Sequence, residues 1–193
     1  MSKRSKAVAI GILGAASFAL AGCQEEKIEA QAYPDIQSCK AEVGQGGLAS
    51  TEACDVAFSE AQALHAEAAP RYDSIEVCES QHGEGACGSE QAQLGAGGSN
   101  GIFMPLLTGY LIGSMLGGRG GLAGSQPMYR KAGGGFTNAA GNASYNSNKG
   151  KGSLNSSQFA KPTATKGKAP MTKTSVASRG GFGKSTSTRS YGG

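Results

Sequence analysis

Tryptophan is absent from the chain, and only 6% of its 193 residues are aromatic. Thirty-two glycines dilute the remainder. Few bulky side chains are available to offset the entropy of ordering, so composition predicts a core over only part of the chain. Histidine occurs twice, as His65 and His82, and there is no Cys-x2-Cys pair. No zinc or haem ligand set can be assembled from this, and the expectation is no metal and no cofactor. Two histidines without a matched nucleophile read as structural or solvated, with an enzyme using one of them as the weaker alternative. Acidic residues stop at Glu90. All fourteen fall within residues 23–99, against Lys27, Lys40 and Arg71. Residues 100–193 carry twelve Lys and Arg and no acid. That division predicts an acidic module followed by a basic, anion-seeking tail.

What is present begins with an address. Lys3, Arg4 and Lys6 precede Ala7 to Leu20, which carries no charge. The run is shorter than the roughly 20 apolar residues of a spanning helix and has the form of a secretory signal. It ends in Leu20-Ala21-Gly22-Cys23, a lipobox pattern. Residues 1–22 are therefore expected to be removed and Cys23 to carry the lipid, anchoring the chain to a membrane through more than one acyl chain. Gln24 stands where an Asp would resemble an inner-membrane retention signal. By resemblance to Gram-negative lipoproteins, the expected location is the outer membrane, facing the periplasm.

Residues 23–32 read as a polar tether and residues 33–90 as an acidic helical module. Asp35 caps a first helix carrying Ile36, Cys39 and Val43 on one face. Ser50 or Thr51 caps a second, with Cys54, Ala57, Phe58, Ala61, Leu64 and Ala68 along one stripe. Asp73 and Glu76 are spaced as a capping box for a third. Four cysteines remain, Cys39, Cys54, Cys78 and Cys87, and in an oxidising envelope they read as two disulfides. Ile36-x2-Cys39-x4-Gly44-x-Gly46 is echoed by Ile75-x2-Cys78-x4-Gly83-x-Gly85, each unit closing on Ala-Cys. The echo favours Cys39–Cys54 and Cys78–Cys87, while Cys39–Cys87 with Cys54–Cys78 stays open. Gly83 to Gly88 fits a dinucleotide fingerprint by its letters but follows no strand and holds a cysteine, so it is set aside.

Several of these segments together resemble the YgiB-like enterobacterial proteins, a family of unknown function. The resemblance is carried by the Cys23 lipobox, the spaced cysteines, Ala69-Pro70-Arg71-Tyr72 and Gly83-Glu84-Gly85. It continues through Met104-Pro105-Leu106, Gly109-Tyr110, Arg179-Gly180-Gly181-Phe182-Gly183 and the Gly192-Gly193 end. It implies a small membrane-associated envelope protein. It also implies, as an alternative role, an accessory or regulatory partner of a genomically linked ATP-grasp amide ligase resembling glutathionylspermidine synthases. No catalytic residue carries over.

Residues 91–101 read as a linker and 102–118 as a short apolar helix. Gly109, Gly113 and Gly117 fall on one face of it, spaced for close helix contact. Fifteen helical residues would reach only about 22 Å against a hydrocarbon core of roughly 30 Å. Self-association or partial insertion, packing on the acidic module, and a plain glycine loop are the competing readings. Residues 119–193 read as a disordered basic tail of Gly, Ser and Lys. Its Arg179, Lys184 and Arg189 are the expected anion-binding residues, for lipids, acidic envelope polymers or the chain's own acidic module. Export argues against nucleic acid as a partner, despite the RGG-like segment. The expected whole is a mostly α, disulfide-stapled module with a short glycine-rich helix and a disordered tail. Its expected function is that of a non-catalytic envelope lipoprotein with a structural or interaction role.

Overall fold

Residues 27–46, 49–114 and 122–182 are described by the computed structural model. Lys27–Tyr33 forms a strand, β1. Lys27 and Glu29 face solvent while Ile28 and Ala30 face inward, the two-residue alternation of a pleated chain. The polar tether expected here is corrected by this strand, which pairs along both edges.

The remaining large-sheet strands are β4 (Gly109–Ser114), β5 (Leu122–Arg130), β6 (Phe136–Asn138), β7 (Ser144–Tyr145) and β8 (Gly150–Asn155). Their order is β7-β6-β5-β4-β1-β8, and every neighbouring pair is antiparallel. Two shorter strands, β2 (Cys87–Ser89) and β3 (Phe103–Pro105), pair separately. The mostly α fold expected from sequence is therefore wrong: an antiparallel sheet is the spine of the molecule.

Two segments account for the error. Over its described part, 102–114, the 102–118 stretch is not a helix, because Phe103–Pro105 and Gly109–Ser114 are strands. A four-residue glycine spacing puts Gly109 and Gly113 on one face of a strand as readily as of a helix. Tyr110 and Ile112 between them are β-formers. The segment after residue 119 is not a disordered tail over its described part, since β5 to β8 and a helix at Lys173–Arg179 lie within it. Its described aromatics are contributed one at a time by strands and turns, Tyr129 fully buried and the others half-buried. Phe136, Tyr145 and Phe159 pack with Leu154 against Ala32, Leu111 and Met128.

Among the described residues the longest helix lies against β5 of the large sheet, and two shorter ones lie against the β2–β3 pair. The helices are α1 (Ile36–Ala41), α2 (Thr51–Ala68), α3 (Ile75–His82), α4 (Glu90–Leu94) and α5 (Lys173–Arg179). Each starts on a side-chain oxygen that accepts a backbone N–H, from Asp35, Ser50, Ser74, Ser89 and Thr172 in turn. The third helix is capped by Ser74, one residue beyond the Asp73 expected. Helix α2 buries Cys54, Ala57, Ala61, Leu64, His65 and Ala68. These small side chains bring its backbone close to the sheet, and the sheet supplies the bulk. Four of the six tyrosines, Tyr33, Tyr72, Tyr110 and Tyr129, are at most 1% exposed. A core of tyrosine against alanine is how a chain without tryptophan fills its interior.

Candidate functional site

The sheet and helices enclose a band of polar side chains. His65 from α2 points at Tyr129 on β5, with Nδ1 3.1 Å from the phenol oxygen and Nε2 3.1 Å from Gln93 Oε1. The Gln93 amide nitrogen donates to the Gly88 and Met104 carbonyls, so its oxygen accepts from His65 Nε2–H. Nδ1 of His65 must then accept the Tyr129 O–H. His82, at the end of α3, has Nδ1 2.8 Å from the Arg130 carbonyl, which can only accept. Its Nε2 therefore accepts the Tyr72 O–H at 2.8 Å. Both rings are neutral with both nitrogens engaged. Burial lowers each pKa from 6.5 to about 4, only partly opposed by the Gln93 bond at His65 and by the Arg130 carbonyl at His82. Burial likewise raises the Tyr72 and Tyr129 phenols, which stay protonated as donors. Neither imidazole has a nitrogen left to offer a substrate.

Arg71 and Glu90 form the second polar feature. Their side chains are each 3% exposed, and Arg71 Nε donates to Glu90 Oε1 over 2.6 Å. Three more of its five N–H donors go to the Ala69 and Ala66 carbonyls and the Thr165 hydroxyl. Burial pushes the Glu90 carboxyl up, but the Ser99 N–H and Arg71 outweigh it and hold it below its usual range. Sequence reasoning missed this pair. The available signal was a lone base between Lys40 and Arg119, set in the apolar run Ala68-Ala69-Pro70.

The four cysteines form two disulfides. Cys39–Cys54, with Cα atoms 5.9 Å apart, ties α1 to the start of α2. Cys78–Cys87, at 6.2 Å, ties α3 to β2. The first lies in the cluster around Tyr33 and Tyr110; the second backs the cluster of Tyr72, Val77 and Val176.

Gly109 and Gly113 sit inside β4. A Cβ on Gly113 would come within 2.8 Å of the Phe159 ring and 2.9 Å of Ile28 Cδ1. This is close packing within one chain, and the helix contact expected at these glycines has no helix to make it. Arg179 is exposed at the end of α5. Cys23, Gly117, Lys184 and Arg189 lie outside the described residues.

The RGG-like segment is a helix stop. Gly180 takes a left-handed conformation at φ 69°, its N–H bonding back to Ala177, and the Gly181 N–H reaches the Val176 carbonyl at 3.1 Å. This is the paired bonding of a Schellman motif. It delivers Phe182 to His82, ring centroids 5.4 Å apart, with the Phe182 N–H held by Gln81. Among the described residues no group of His, Cys, Asp and Glu is arranged to hold a metal ion, and no helix is long and apolar enough to cross a membrane.

No solved structure matches the chain. A UPF0441 protein of Erwinia tasmaniensis is 30% identical over 190 residues, covering 91% of this chain and 79% of the relative. A UPF0441 protein of Klebsiella pneumoniae subsp. pneumoniae is 31% identical over 189 residues, with the same coverage. One from Yersinia pestis bv. Antiqua is 29% identical over 208 residues, covering 98% of this chain and 84% of the relative. The family model described as protein of unknown function (DUF1190) matches residues 27–193, from the first residue of β1 onward, and the chain belongs to that family.

Proposed function

We propose that this protein is a lipid-anchored component of the bacterial cell envelope that acts by binding or by structural support, without catalysis. The observation that carries the non-catalytic part is the state of the two histidines. Each is neutral and buried, with both ring nitrogens engaged by groups of the same chain. A general acid or base needs a proton-carrying atom within reach of substrate and a pKa near the working pH. These rings, with pKa values near 4, have neither. The envelope part is supported by the Leu20-Ala21-Gly22-Cys23 lipobox and by two disulfides, which persist in oxidising compartments. On this reading Cys23 holds the chain to the outer membrane and the folded part stands in the periplasm.

Intact-mass analysis of the protein extracted from membranes tests the reading in one measurement. The expected species begins at Cys23, carries a diacylglycerol and an N-acyl chain, and takes up no alkylating agent before reduction. An unacylated species retaining residues 1–22, with all five cysteines alkylatable before reduction, would overturn it.

A further inference from the structure

A cavity of about 390 Å³ opens to solvent where α5 and the chain leading to it cross the end of β6. The volume lies at the lower end of the range for small-molecule sites, about 300–1,000 Å³. Two of the segments that carry the family resemblance meet there. Pro70 and Arg71 form one wall; Arg179, Gly181 and Phe182 form another. Its apolar lining comes from Met171, Val176, Phe182 and Ala139. Its charged lining consists of cations alone, with no acidic side chain.

The cations are not equivalent. Arg71 is buried, four of its five N–H donors are engaged by Glu90, two backbone carbonyls and Thr165, and its charge is already paired with Glu90. Lys168 and Arg179 are exposed, and neither forms an ion pair among the described residues. The free positive charge is thus at the mouth and the apolar surface is within. We propose that this cavity binds a small amphipathic anion, with its carboxylate or phosphate held by Lys168 and Arg179 and its apolar end on Met171, Val176 and Phe182. The Schellman turn at Gly180 and Gly181 is what sets the Arg179 cation and the Phe182 ring on the same cavity. The proposal does not depend on the lipid anchor, and the two can fail separately.

The test titrates the full chain with sodium octanoate, octyl phosphate, 1-octanol and sodium acetate, following the Val176 methyl groups and the Phe182 ring by NMR. Octanoate or octyl phosphate should shift these resonances saturably, with affinity at least about tenfold above that of octanol or acetate, as expected when charged donors meet an anion. A difference between the two anions would show whether carboxylate or phosphate is preferred. The Lys168→Ala/Arg179→Ala variant changes two exposed side chains and should keep the wild-type Val176 shifts. It should lose that tenfold advantage while binding octanol as before. The proposal is overturned if octanol binds as tightly as octanoate, or if the variant binds octanoate like the wild type. Shifts spread over exposed lysines such as Lys149 and Lys151 instead of Val176 and Phe182 would also overturn it. So would binding to phosphatidylglycerol vesicles with no response to either free anion, which would make this face a membrane surface.

Discussion

Mild acid should destabilise this protein through its two histidines. The rings of His65 and His82 are 7% and 0% exposed and titrate near 4, against 6.5 in an unfolded chain. Between these values the unfolded chain binds a proton at each ring and the folded chain does not. The stabilisation is therefore complete above about pH 6.5 and is lost as pH falls through 6.5 toward 4. At about 1.4 kcal/mol per pKa unit, each ring costs roughly 3 kcal/mol once both states have titrated, and roughly 2 kcal/mol at pH 5. The two together should remove roughly 4 kcal/mol between pH 7.5 and pH 5. With a urea dependence of about 2 kcal/mol per molar, the unfolding midpoint should fall by about 2 M. Glu90 and Asp35 have lowered pKa values, so their contributions are lost mainly below their ordinary values of 4.5 and 3.8, outside that window. Urea titrations followed by tyrosine fluorescence at three pH values, disulfides intact, measure this directly. The His65→Gln/His82→Gln variant should show little slope whatever its absolute stability. A wild-type midpoint that does not move between pH 7.5 and 5 would refute the buried neutral pair.

Removing one member of the Arg71–Glu90 pair should be severe. Glu90→Leu leaves a guanidinium 3% exposed without its carboxylate and should cost roughly 3–5 kcal/mol in urea unfolding, while Arg71→Met/Glu90→Leu recovers much of that. A single-variant loss below about 1 kcal/mol would place the pair at the surface. Gly113→Leu should lose at least about 1–3 kcal/mol by overpacking Phe159 and Ile28, with no change of oligomeric state in light scattering. An unchanged midpoint together with a lost dimer would bring back the glycine-faced helix.

The helices were legible because their signals are local. Asp35 and Ser50 stand immediately before apolar-periodic runs, and the structure uses both as caps. The repeated Cys-x4-Gly-x-Gly unit also has a local cause. Gly44, Gly46, Gly83 and Gly85 all adopt positive φ, the turns by which the chain leaves a short helix and comes back to a cysteine. The sheet was hidden because its signals are nonlocal. Ile28, Ala30 and Ala32 do alternate with Lys27, Glu29 and Gln31, but only one of the inward residues is large. What makes β1 a strand is the pair of neighbours on its edges, β4 and β8, which lie some 80 and 120 residues further along. The glycine-rich 150–155 segment looks disordered by composition. It is ordered by its ladder with β1, in which Gly150 and Gly152 lie opposite Ala32 and Ala30. The buried polar band was out of reach for a related reason. Each histidine is matched by a tyrosine outside its own helix, His65 by Tyr129 on β5 and His82 by Tyr72 in the segment before α3.

The charge division along the sequence raises the last question, whether opposite charge holds the acidic and basic halves together. The geometry argues that it does not. Of the ion pairs among the described residues, Lys40–Asp55 and Arg71–Glu90 lie within the acidic half. Lys161–Glu67 alone joins the halves, at 3.5 Å, with both side chains largely exposed. A pair of that kind contributes about 0–1 kcal/mol. The halves are instead woven together: β1 of the acidic half runs between β4 and β8 of the basic half, and α2 packs across β5. Raising potassium chloride from about 0.05 M to about 1 M shortens the screening length from above 10 Å to about 3 Å. It should nevertheless move the unfolding free energy by less than about 1 kcal/mol. A loss of several kcal/mol in salt would mean that long-range attraction between the halves, and not the backbone ladder, carries the fold. If the stability is indifferent to salt, the uncompensated cations of the C-terminal half, Lys168 and Arg179 among them, are free to meet an anion from outside the chain.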